Sequence, residues 1–377
     1  MALISYITPI QFACGAINTL DAELSRLGIS MPLIITDPGI MRAGISAVVI
    51  DNLGGRRHAL FSDTAENPTE ENLRDALAVF TTSGCDGLIA VGGGSPMDLG
   101  KAVALLLSHG GAFADYDVKT GGSEKIRRVL PHIAIPTAAG TGAEIGRACV
   151  LTTDDGRKKV AVSLEMVAHG IICDPELTLS LPPMMTAATG MDALSHGIET
   201  YLSTRYNPPA DAIALDAVRR IAGNIETATI DGSCIEPRSE MLMGALMGGM
   251  ALQKGLGSAH AMANPLGELH LHHGTLIGIL LPHVIAFNST VSGERMKQLG
   301  AAVGMRTSQT LASWTADLVR RLGLPTSLRE LGVDRSSLGE IAAKAEKDHL
   351  SATNPRPAGR ADYEMLLDAA WNGPPAS

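Results

Sequence analysis

Aromatic residues, basic charge and long hydrophobic runs are all scarce in this sequence, and each scarcity argues against a class of protein. Aromatic residues make up 3% of the 377 residues, and 39 acidic residues outnumber 30 basic ones, which gives a net charge of −9. Nucleic-acid binding surfaces combine excess basic charge with stacking aromatics, so we expect no nucleic-acid partner. No apolar run approaches the roughly 20 residues that cross a bilayer, so we expect no membrane partner.

Cysteine is scarce as well, and the start of the chain carries no recognisable export signal. The five cysteines are widely spread and form no C-x-x-C pair, which disfavours a disulfide framework or a thiolate metal site. The first residues, MALISYITPIQFACG, lack a charged segment and a small-residue cleavage site. We therefore expect a cytoplasmic protein.

The first half of the chain alternates short apolar runs with helical segments. Apolar runs at residues 32–36, 87–91 and 132–135 are each followed by a turn that contains proline or glycine. Residues 67–79 carry helix-start signals, and residues 96–107 show helical periodicity. Continuous apolar strands separated by helices predict a parallel sheet covered on both faces.

Strand-like runs nearly disappear after about residue 182, and the chain becomes rich in Ala, Leu and Met at helical spacing. Helices are predicted at residues 186–203, 209–227, 238–251, 308–322 and 337–347. A chain of this length suits two domains. We predict an α/β domain over residues 1–180 and an all-helical domain over residues 181–377.

A glycine-rich turn lies between the second apolar run and the helix after it. Consecutive glycines, Gly92 to Gly94, and Ser95 let backbone N–H groups approach an anion at a helix N-terminus. The pattern is not G-x-G-x-x-G, and a plain tight turn explains it equally well. Asp98 caps or lines such a pocket, and Lys101 is interpreted as a solvated helix residue.

Two further loops fall at the carboxyl ends of predicted strands, where open α/β sheets bind their ligands. Residues 136–144 supply small residues and the hydroxyls of Thr137 and Thr141. Asp37 ends the first strand, where an acidic residue can accept hydrogen bonds from a ribose. A simple turn aspartate is the alternative interpretation.

Histidine is concentrated in one part of the second half. Asp192 and His196 are four residues apart in a predicted helix, so both side chains project from one face. Five of the 11 histidines then follow, namely His260, His270, His272, His273 and His283. Two of these with Asp192 and His196 would form a set of three nitrogens and one oxygen that suits Zn²⁺ or Fe²⁺. For His270 and His272 an ordinary surface or hydrogen-bonded role is the preferred interpretation.

Several segments together carry a family resemblance. They are GGGSPMDLGKA, PTAAGTGAE, DPELTLSLPPMMTAATGMDALSHGIETY, GLGSAHAMANPLG and HHGTLIGILLPH. On these segments nearly the whole chain resembles the iron-containing (group III) alcohol dehydrogenase family. The resemblance implies an N-terminal dinucleotide-binding α/β domain and a C-terminal all-helical domain, an architecture shared with dehydroquinate synthase. It also implies a homodimer or larger homo-oligomer.

The resemblance implies the site residues as well. The implied metal ligands are Asp192, His196, His260 and His273, the last because it directly precedes Gly274 as in the family's HG motif. The implied cofactor contacts are Asp37, Gly93, Gly94, Ser95, Asp98, Thr137, Thr141 and Lys159. An acidic residue at position 37 favours NAD(H) over NADP(H).

Two departures from the family pattern affect the proton path and the fourth ligand. The family has a second histidine four residues after the first one of this segment, often linked to proton relay, whereas this chain has Asn264. Asn cannot act as a general base, so His270, His272 or water becomes the candidate relay. The loop between His260 and His273 is also one residue shorter than in many members, which leaves His272 as an alternative fourth ligand.

The implied activity is that of a metal- and NAD-dependent alcohol dehydrogenase or aldehyde reductase acting on a small alcohol or aldehyde. The expected metal is Fe²⁺, with Zn²⁺ as the alternative. A glycerol-dehydrogenase-like polyol dehydrogenase is the nearest competing hypothesis. A dehydroquinate-synthase-type lyase, which would use NAD transiently, and a binding protein without catalysis are the others.

Overall fold

The computed structural model describes residues 8–306 and 308–373, which divide into two compact units. Within the described residues, one unit contains residues 8–138 and Gly142–Ser180, and the other contains Ala139–Thr141, 181–306 and 308–373. Among the described helices, none has both the length and the apolar character needed to cross a membrane.

The first unit is built on a parallel sheet. Its strands are β1 (Ile10–Phe12), β2 (Pro32–Ile35), β3 (Ala59–Phe61), β4 (Gly87–Gly92), β5 (His132–Pro136), β6 (Ala148–Thr152), β7 (Lys158–Val162) and β8 (Gly170–Cys173). Within the described residues, six of them form one parallel sheet in the order β1, β8, β5, β4, β2, β3. The other two, β6 and β7, form an antiparallel hairpin.

The central strands are apolar along their whole length because both faces of the sheet are covered. Every residue of β2, β4, β5 and β8 is buried. The predicted strands at residues 32–36, 87–91 and 132–135 are therefore confirmed. The prediction missed β1, β3, β8 and the hairpin, because runs of three to five residues carry too little pattern to be recognised without their pairing partners.

The helices of this unit connect the strands and begin at recognisable signals. They are α1 (Leu20–Leu27), α2 (Pro38–Arg42), α3 (Ile45–Asp51), α4 (Glu70–Ser83) and α5 (Gly94–His109). Helix α4 begins after Thr69, whose hydroxyl accepts from the backbone N–H of Asn72 in a capping box. The glycine turn before α5 is sterically required, since Gly92 has φ +144° and an added Cβ would lie 2.8 Å from Pro96.

The interpretation of Lys101 as a solvated residue is wrong. Its side chain lies inside the unit, 2% exposed, and donates to the carbonyls of Ala143, Gly146 and Ala148 at 2.6, 2.7 and 3.0 Å. One turn earlier on α5, the Asp98 carboxylate accepts from the backbone N–H of Val150 at 3.1 Å. The two side chains fasten the segment after β5 to α5, a role that only the long-range fold creates.

The second unit is helical throughout its described part. Its helices are α6 (Pro183–Leu202), α7 (Pro208–Ile230), α8 (Ile235–Ala251), α9 (Ser258–Leu266), α10 (His273–Ser289), α11 (Gly293–Ala302), α12 (Leu311–Arg321), α13 (Leu338–Glu346) and α14 (Arg360–Asn372). The five helices predicted from the sequence correspond to α6, α7, α8, α12 and α13 and are confirmed. Alternation of helix and strand in one unit and helices alone in the other confirms the predicted fold class.

Helix α6 is the central element of this unit. It packs against α7, α8 and α10, and nearly all of its residues from Thr186 onward are buried. Close approach of α7 depends on glycine, because a Cβ added at Gly190 would lie 2.7 Å from Ile225 and one at Gly197 would lie 2.6 Å from Val218. The buried polar side chains of α6, such as Asp192, Ser195 and His196, consequently lie in a tightly packed environment.

A buried glutamate in the α/β unit gives a prediction about pH. Glu144 is 3% exposed, and burial raises its pKa from 4.5 to about 7. The folded state then binds a proton more tightly than the unfolded state, so the free energy of unfolding decreases as pH rises from about 4.5 to about 7. We expect Glu144→Gln to remove this pH dependence. Between pH 4.5 and pH 8, the free energy of unfolding of the variant should rise by up to about 3 kcal/mol relative to that of the wild type.

Thermal unfolding at pH 5 and pH 8 measures the effect, with Glu71→Gln on the exposed face of α4 as the matched control. The advantage of the Glu144 variant should grow with pH, whereas the control should show no such trend. An equal difference at both pH values would contradict the argument.

Candidate metal centre and cofactor loops

Four side chains of the helical unit meet where α6, α9 and α10 come together. Asp192 and His196 lie one turn apart on α6, His260 lies on α9, and His273 is the first residue of α10. The first three are buried, whereas the side chain of His273 is 41% exposed. The cluster is therefore largely buried and is accessible to solvent at His273.

One carboxylate oxygen is the centre of this cluster. Asp192 Oδ1 lies 3.6 Å from His196 Nε2 and 3.5 Å from the Nε2 atoms of both His260 and His273. Ligands bound tetrahedrally to one ion at about 2.0–2.1 Å lie about 3.4 Å from each other. The separations from Asp192 Oδ1 match that spacing. Among the described residues, the ligand atoms of Asp192, His260 and His273 all lie within 4.8 Å of one another, so these three can contact a single ion, whereas His196 is near them through Asp192 at 3.6 Å.

The hydrogen bonding of the cluster tests whether a metal fits. Within the described residues, Asp192 Oδ1 and His260 Nε2 are buried and have no hydrogen-bond partner. A buried polar atom without a partner costs about 1–3 kcal/mol. A divalent cation would satisfy both atoms, and three imidazoles with one carboxylate are donors that Fe²⁺ and Zn²⁺ accept.

The electrostatics of the cluster favour two ligands in the protonation state that a metal needs. Burial alone would raise the pKa of Asp192, but the imidazoles of His196, His273 and His260 hold it well below its usual value. Burial lowers the pKa of His196 to about 4. Asp192 is thus an anion and His196 is neutral at pH 7, as metal coordination requires.

Glu199 is a site residue that we did not single out from the sequence. Its Oε2 lies 2.5 Å from His260 Nδ1, and its Oε1 accepts from the backbone N–H of Ala259 at 2.8 Å. Burial lowers the pKa of His260, but Asp192 and Glu199 together raise it to about 9. The signal was available, because Asp192, His196 and Glu199 follow the i, i+4, i+7 spacing of one helix face.

The remaining histidines of the segment have other surroundings. His270 is exposed and has the left-handed φ of 59°, and His272 is the N-cap of α10, with Nδ1 accepting from the backbone N–H of Thr275 at 3.4 Å. His283 is partly buried on α10, and burial lowers its pKa. Asn264, one turn after His260, donates from Nδ2 to Asp348 at 2.9 Å. The structure thus places His273, and not His272, beside Asp192.

Three of the predicted cofactor residues lie at neighbouring strand ends in the α/β unit. Asp37 follows β2, and its Oδ1 accepts from the N–H groups of Gly39 and Ile40 at 2.7 and 3.0 Å, as the N-cap of α2. Gly93 is the N-cap of α5, and Thr137 follows β5 and donates its N–H to Gly92 at 3.0 Å. Because β2, β4 and β5 are adjacent and parallel, these turns share one edge of the sheet.

The other predicted cofactor residues are engaged differently. Gly94 and Ser95 form the first turn of α5, and the Ser95 hydroxyl donates to the carbonyl of Glu66. Lys159 lies on β7, where its Nζ forms an ion pair with Asp117 at 3.1 Å. Thr141 is exposed, and Asp98 contacts Val150 as described above. The structure therefore brings together Asp37, the glycine turn and Thr137, and gives Asp98 and Lys159 protein partners.

An α/β unit with a glycine turn at its strand ends, and a helical unit in which three histidines surround a buried aspartate, are features expected of a metal-dependent dehydrogenase. The family model described as iron-containing alcohol dehydrogenase matches residues 8–175, and that of the C-terminal part of the Fe-containing alcohol dehydrogenase family matches residues 186–371. The chain belongs to the iron-containing alcohol dehydrogenase family, as the resemblance indicated. It is an oxidoreductase of a family that uses NAD(H) and a divalent metal.

Known relatives cover the whole length of the chain. It is 43% identical over 379 residues to 4-hydroxybutyrate dehydrogenase from Cupriavidus necator, with 98% of this chain and 99% of that protein covered. It matches a crystal structure of 1,3-propanediol oxidoreductase with a TM-score of 0.93 and 33% identity, covering 98% of this chain and 100% of that one. A sulfoacetaldehyde reductase from Bifidobacterium kashiwanohense in complex with NAD⁺ has a TM-score of 0.88, 27% identity and 98% coverage of both chains.

Two adjacent histidines provide a matched test of the fourth ligand. Removing His273 takes away one of the nitrogens beside Asp192, whereas removing His272 takes away the N-cap of α10 and none of those nitrogens. We expect His273→Ala to weaken binding of Zn²⁺ or Co²⁺ by more than about tenfold, and His272→Ala to retain the affinity while lowering thermal stability slightly. Metal affinity is measured by competition with a chromophoric chelator after removal of the native ion. The reverse result would assign the fourth ligand to His272.

Proposed function

We propose that this enzyme interconverts a short hydroxy acid and its aldehyde, with 4-hydroxybutyrate as the model substrate and NAD⁺ as the hydride acceptor. The observation that carries the proposal is the 43% identity with the 4-hydroxybutyrate dehydrogenase of Cupriavidus necator over 98% of this chain. Identity with the 1,3-propanediol dehydrogenases of Klebsiella pneumoniae and Citrobacter freundii is lower, at 35% and 37%. In the reaction a CH–OH group and NAD⁺ become a carbonyl group, NADH and a proton.

The residues proposed to bind the metal are Asp192, His196, His260 and His273. When bound, a divalent metal supplies a Lewis acid that lowers the pKa of an alcohol, and the nicotinamide supplies a hydride acceptor. Asp192 contributes a permanent negative charge, because the surrounding imidazoles keep its pKa low. The packed glycines of α6 hold Asp192 and His196 in place, so the ligands need little rearrangement when the ion binds.

The residues proposed to bind NAD(H) are Asp37, Gly93, Gly94, Ser95, Asp98, Thr137, Thr141 and Lys159. Glycine at the N-cap of α5 brings no side chain to cap the first-turn N–H groups, which suits a pyrophosphate at this position. Asp37 Oδ1 is used in capping α2. Its Oδ2 is the atom proposed to accept from a ribose hydroxyl.

The proton released from the alcohol requires an acceptor other than Asn264. His272 was proposed as a relay, but its Nδ1 lone pair accepts from the N–H of Thr275 in this conformation. A neutral imidazole whose Nδ1 accepts carries its hydrogen on Nε2, so His272 takes up a proton only when this capping contact opens. The exposed His270 and water are the other proposed acceptors.

A diol dehydrogenase is the second candidate function, because the chain matches the 1,3-propanediol oxidoreductase structure with a TM-score of 0.93. The two candidates differ in whether the far end of the substrate is a carboxylate or a hydroxyl group. Assembly as a homodimer or larger homo-oligomer and a cytoplasmic location stay predictions from the sequence.

A substrate panel decides between these functions. The metal is removed and the enzyme is refilled anaerobically with Fe²⁺ or Zn²⁺, and NADH formation is followed with 4-hydroxybutyrate, 1,3-propanediol and 1-butanol. We expect metal-dependent turnover that His196→Ala loses. The kcat/KM for 4-hydroxybutyrate should exceed that for 1-butanol by about tenfold or more, since a site built for a polar group rejects its apolar analogue.

Preference for 1,3-propanediol would support the diol dehydrogenase instead. Substrate conversion without net formation of NADH would indicate the lyase. Absence of turnover with either metal, in a protein that still binds NADH, would contradict the dehydrogenase proposal as a whole.

A further inference from the structure

Glu199 makes contacts to both a proposed metal ligand and the helix that carries it. It lies on α6, is 3% exposed, and directs one carboxylate oxygen to the ring of His260 and the other to the N–H of Ala259. Ala259 and His260 are the second and third residues of α9. A single carboxylate therefore holds both the N-terminal turn of α9 and the imidazole that projects from it.

The contact to His260 determines which ring nitrogen is available to a metal. An ionised carboxylate only accepts hydrogen bonds, so at 2.5 Å from Glu199 Oε2 the Nδ1 atom of His260 is the donor. A metal that binds His260 displaces the proton on Nε2, and the neutral ring then keeps its hydrogen on Nδ1 and offers the Nε2 lone pair. That Nε2 atom is the one that lies 3.5 Å from Asp192 Oδ1 and has no hydrogen-bond partner in the described part of the chain.

His196 provides a comparison with His260 within the same cluster. Its Nδ1 is buried and has no hydrogen-bond partner among the residues that the structure describes. His260 is thus the ligand whose orientation is set by a charged group. Loss of Glu199 would leave a second imidazole of the cluster without a partner at Nδ1.

The space for the Glu199 carboxylate is provided by a glycine. A Cβ added to Gly257, the N-cap of α9, would lie 2.8 Å from Glu199 Oε1 and 2.8 Å from Asn354 Oδ1. Asn354 Oδ1 accepts from the N–H of Ser258, so the N–H groups of the first two residues of α9 are both taken by side chains. The carboxylate is also favourably placed against the positive end of the helix dipole.

We propose that Glu199 is a positioning residue that fixes the Nδ1–H tautomer and the ring orientation of His260, and so raises the affinity of the centre for a divalent metal. The inference rests on the metal centre proposed above. It adds a second buried negative charge to that of Asp192, so a bound M²⁺ ion would be balanced within the protein by two carboxylates. Outer partners of this kind change metal affinity by roughly 10–100-fold.

The test is the affinity of Glu199→Gln for Zn²⁺ and Co²⁺, measured by chelator competition and by the visible spectrum of the Co²⁺ form. The amide of Gln can accept from His260 or from the N–H of Ala259 through its oxygen, but cannot accept from both. We expect the affinity to fall roughly 10–100-fold and the Co²⁺ spectrum to change. Glu330→Gln is the matched control, because Glu330 accepts from the N–H of Thr326 in the same unit and contacts none of the four ligands.

A second variant covers the case in which Glu199→Gln does not fold. Gly257→Ala keeps the charge of Glu199 but displaces its carboxylate, and its backbone φ of −149° tolerates a side chain. We expect it to weaken metal binding less than Glu199→Gln does. A folded Glu199→Gln enzyme with wild-type metal affinity and an unchanged Co²⁺ spectrum would overturn the proposal, even if its melting temperature fell.

His260→Ala separates this proposal from the metal centre itself. Loss of metal binding in His260→Ala with none in Glu199→Gln would retain the centre and reject the positioning role. Full metal affinity in His260→Ala would contradict the centre and, with it, the inference about Glu199.

Discussion

The approach of three imidazole nitrogens to one buried carboxylate oxygen is the constraint on which the helical unit depends. Asp192 Oδ1 has these nitrogens at 3.5–3.6 Å and no hydrogen-bond partner within the described residues. A carboxylate in such a place would ordinarily be neutral, but the imidazoles keep the pKa of Asp192 low. The helix that carries Asp192 is tightly packed, since Gly190 and Gly197 let α7 approach α6 closely.

The α/β unit brings polar loops to one edge of an apolar sheet. Strands β2, β4 and β5 are fully buried, so the turns after them are the first positions that carry polar groups; Asp37 and Gly93 are partly exposed, and Thr137 is buried at 3% exposure. Asp37, the glycine turn and Thr137 occupy these positions. Lys101 and Asp98 then attach the following segment to α5 from inside, which keeps the third of these loops close to the glycine turn.

Features that depend on local sequence could be predicted, whereas features that depend on contacts between distant segments could not. The spacing of Asp192 and His196 places both on one helix face, and the apolar runs of β2, β4 and β5 show in the sequence because burial on both faces leaves no polar positions. Joining His260 and His273 to them required the family resemblance, since nothing in residues 192–273 indicates how α9 and α10 fold back onto α6. Lys101 was misread for the same reason, because its three carbonyl partners lie more than forty residues away.

The two departures from the family pattern lie on one segment and have one consequence. Position 264 holds an amide tied to Asp348, so no base is left on α9 one turn beyond His260. The connection to α10 reverses through a 3₁₀ turn at Gly267–Leu269 and the left-handed His270, a conformation that non-glycine residues adopt at a cost. Three imidazoles, those of His270, His272 and His273, lie within four residues, and consecutive Cα atoms lie only about 3.8 Å apart. His273 reaches Asp192, while His270 and His272 stay beside it along the chain. The histidines proposed as proton acceptors, His270 and His272, therefore lie in the segment before α10 and not on α9.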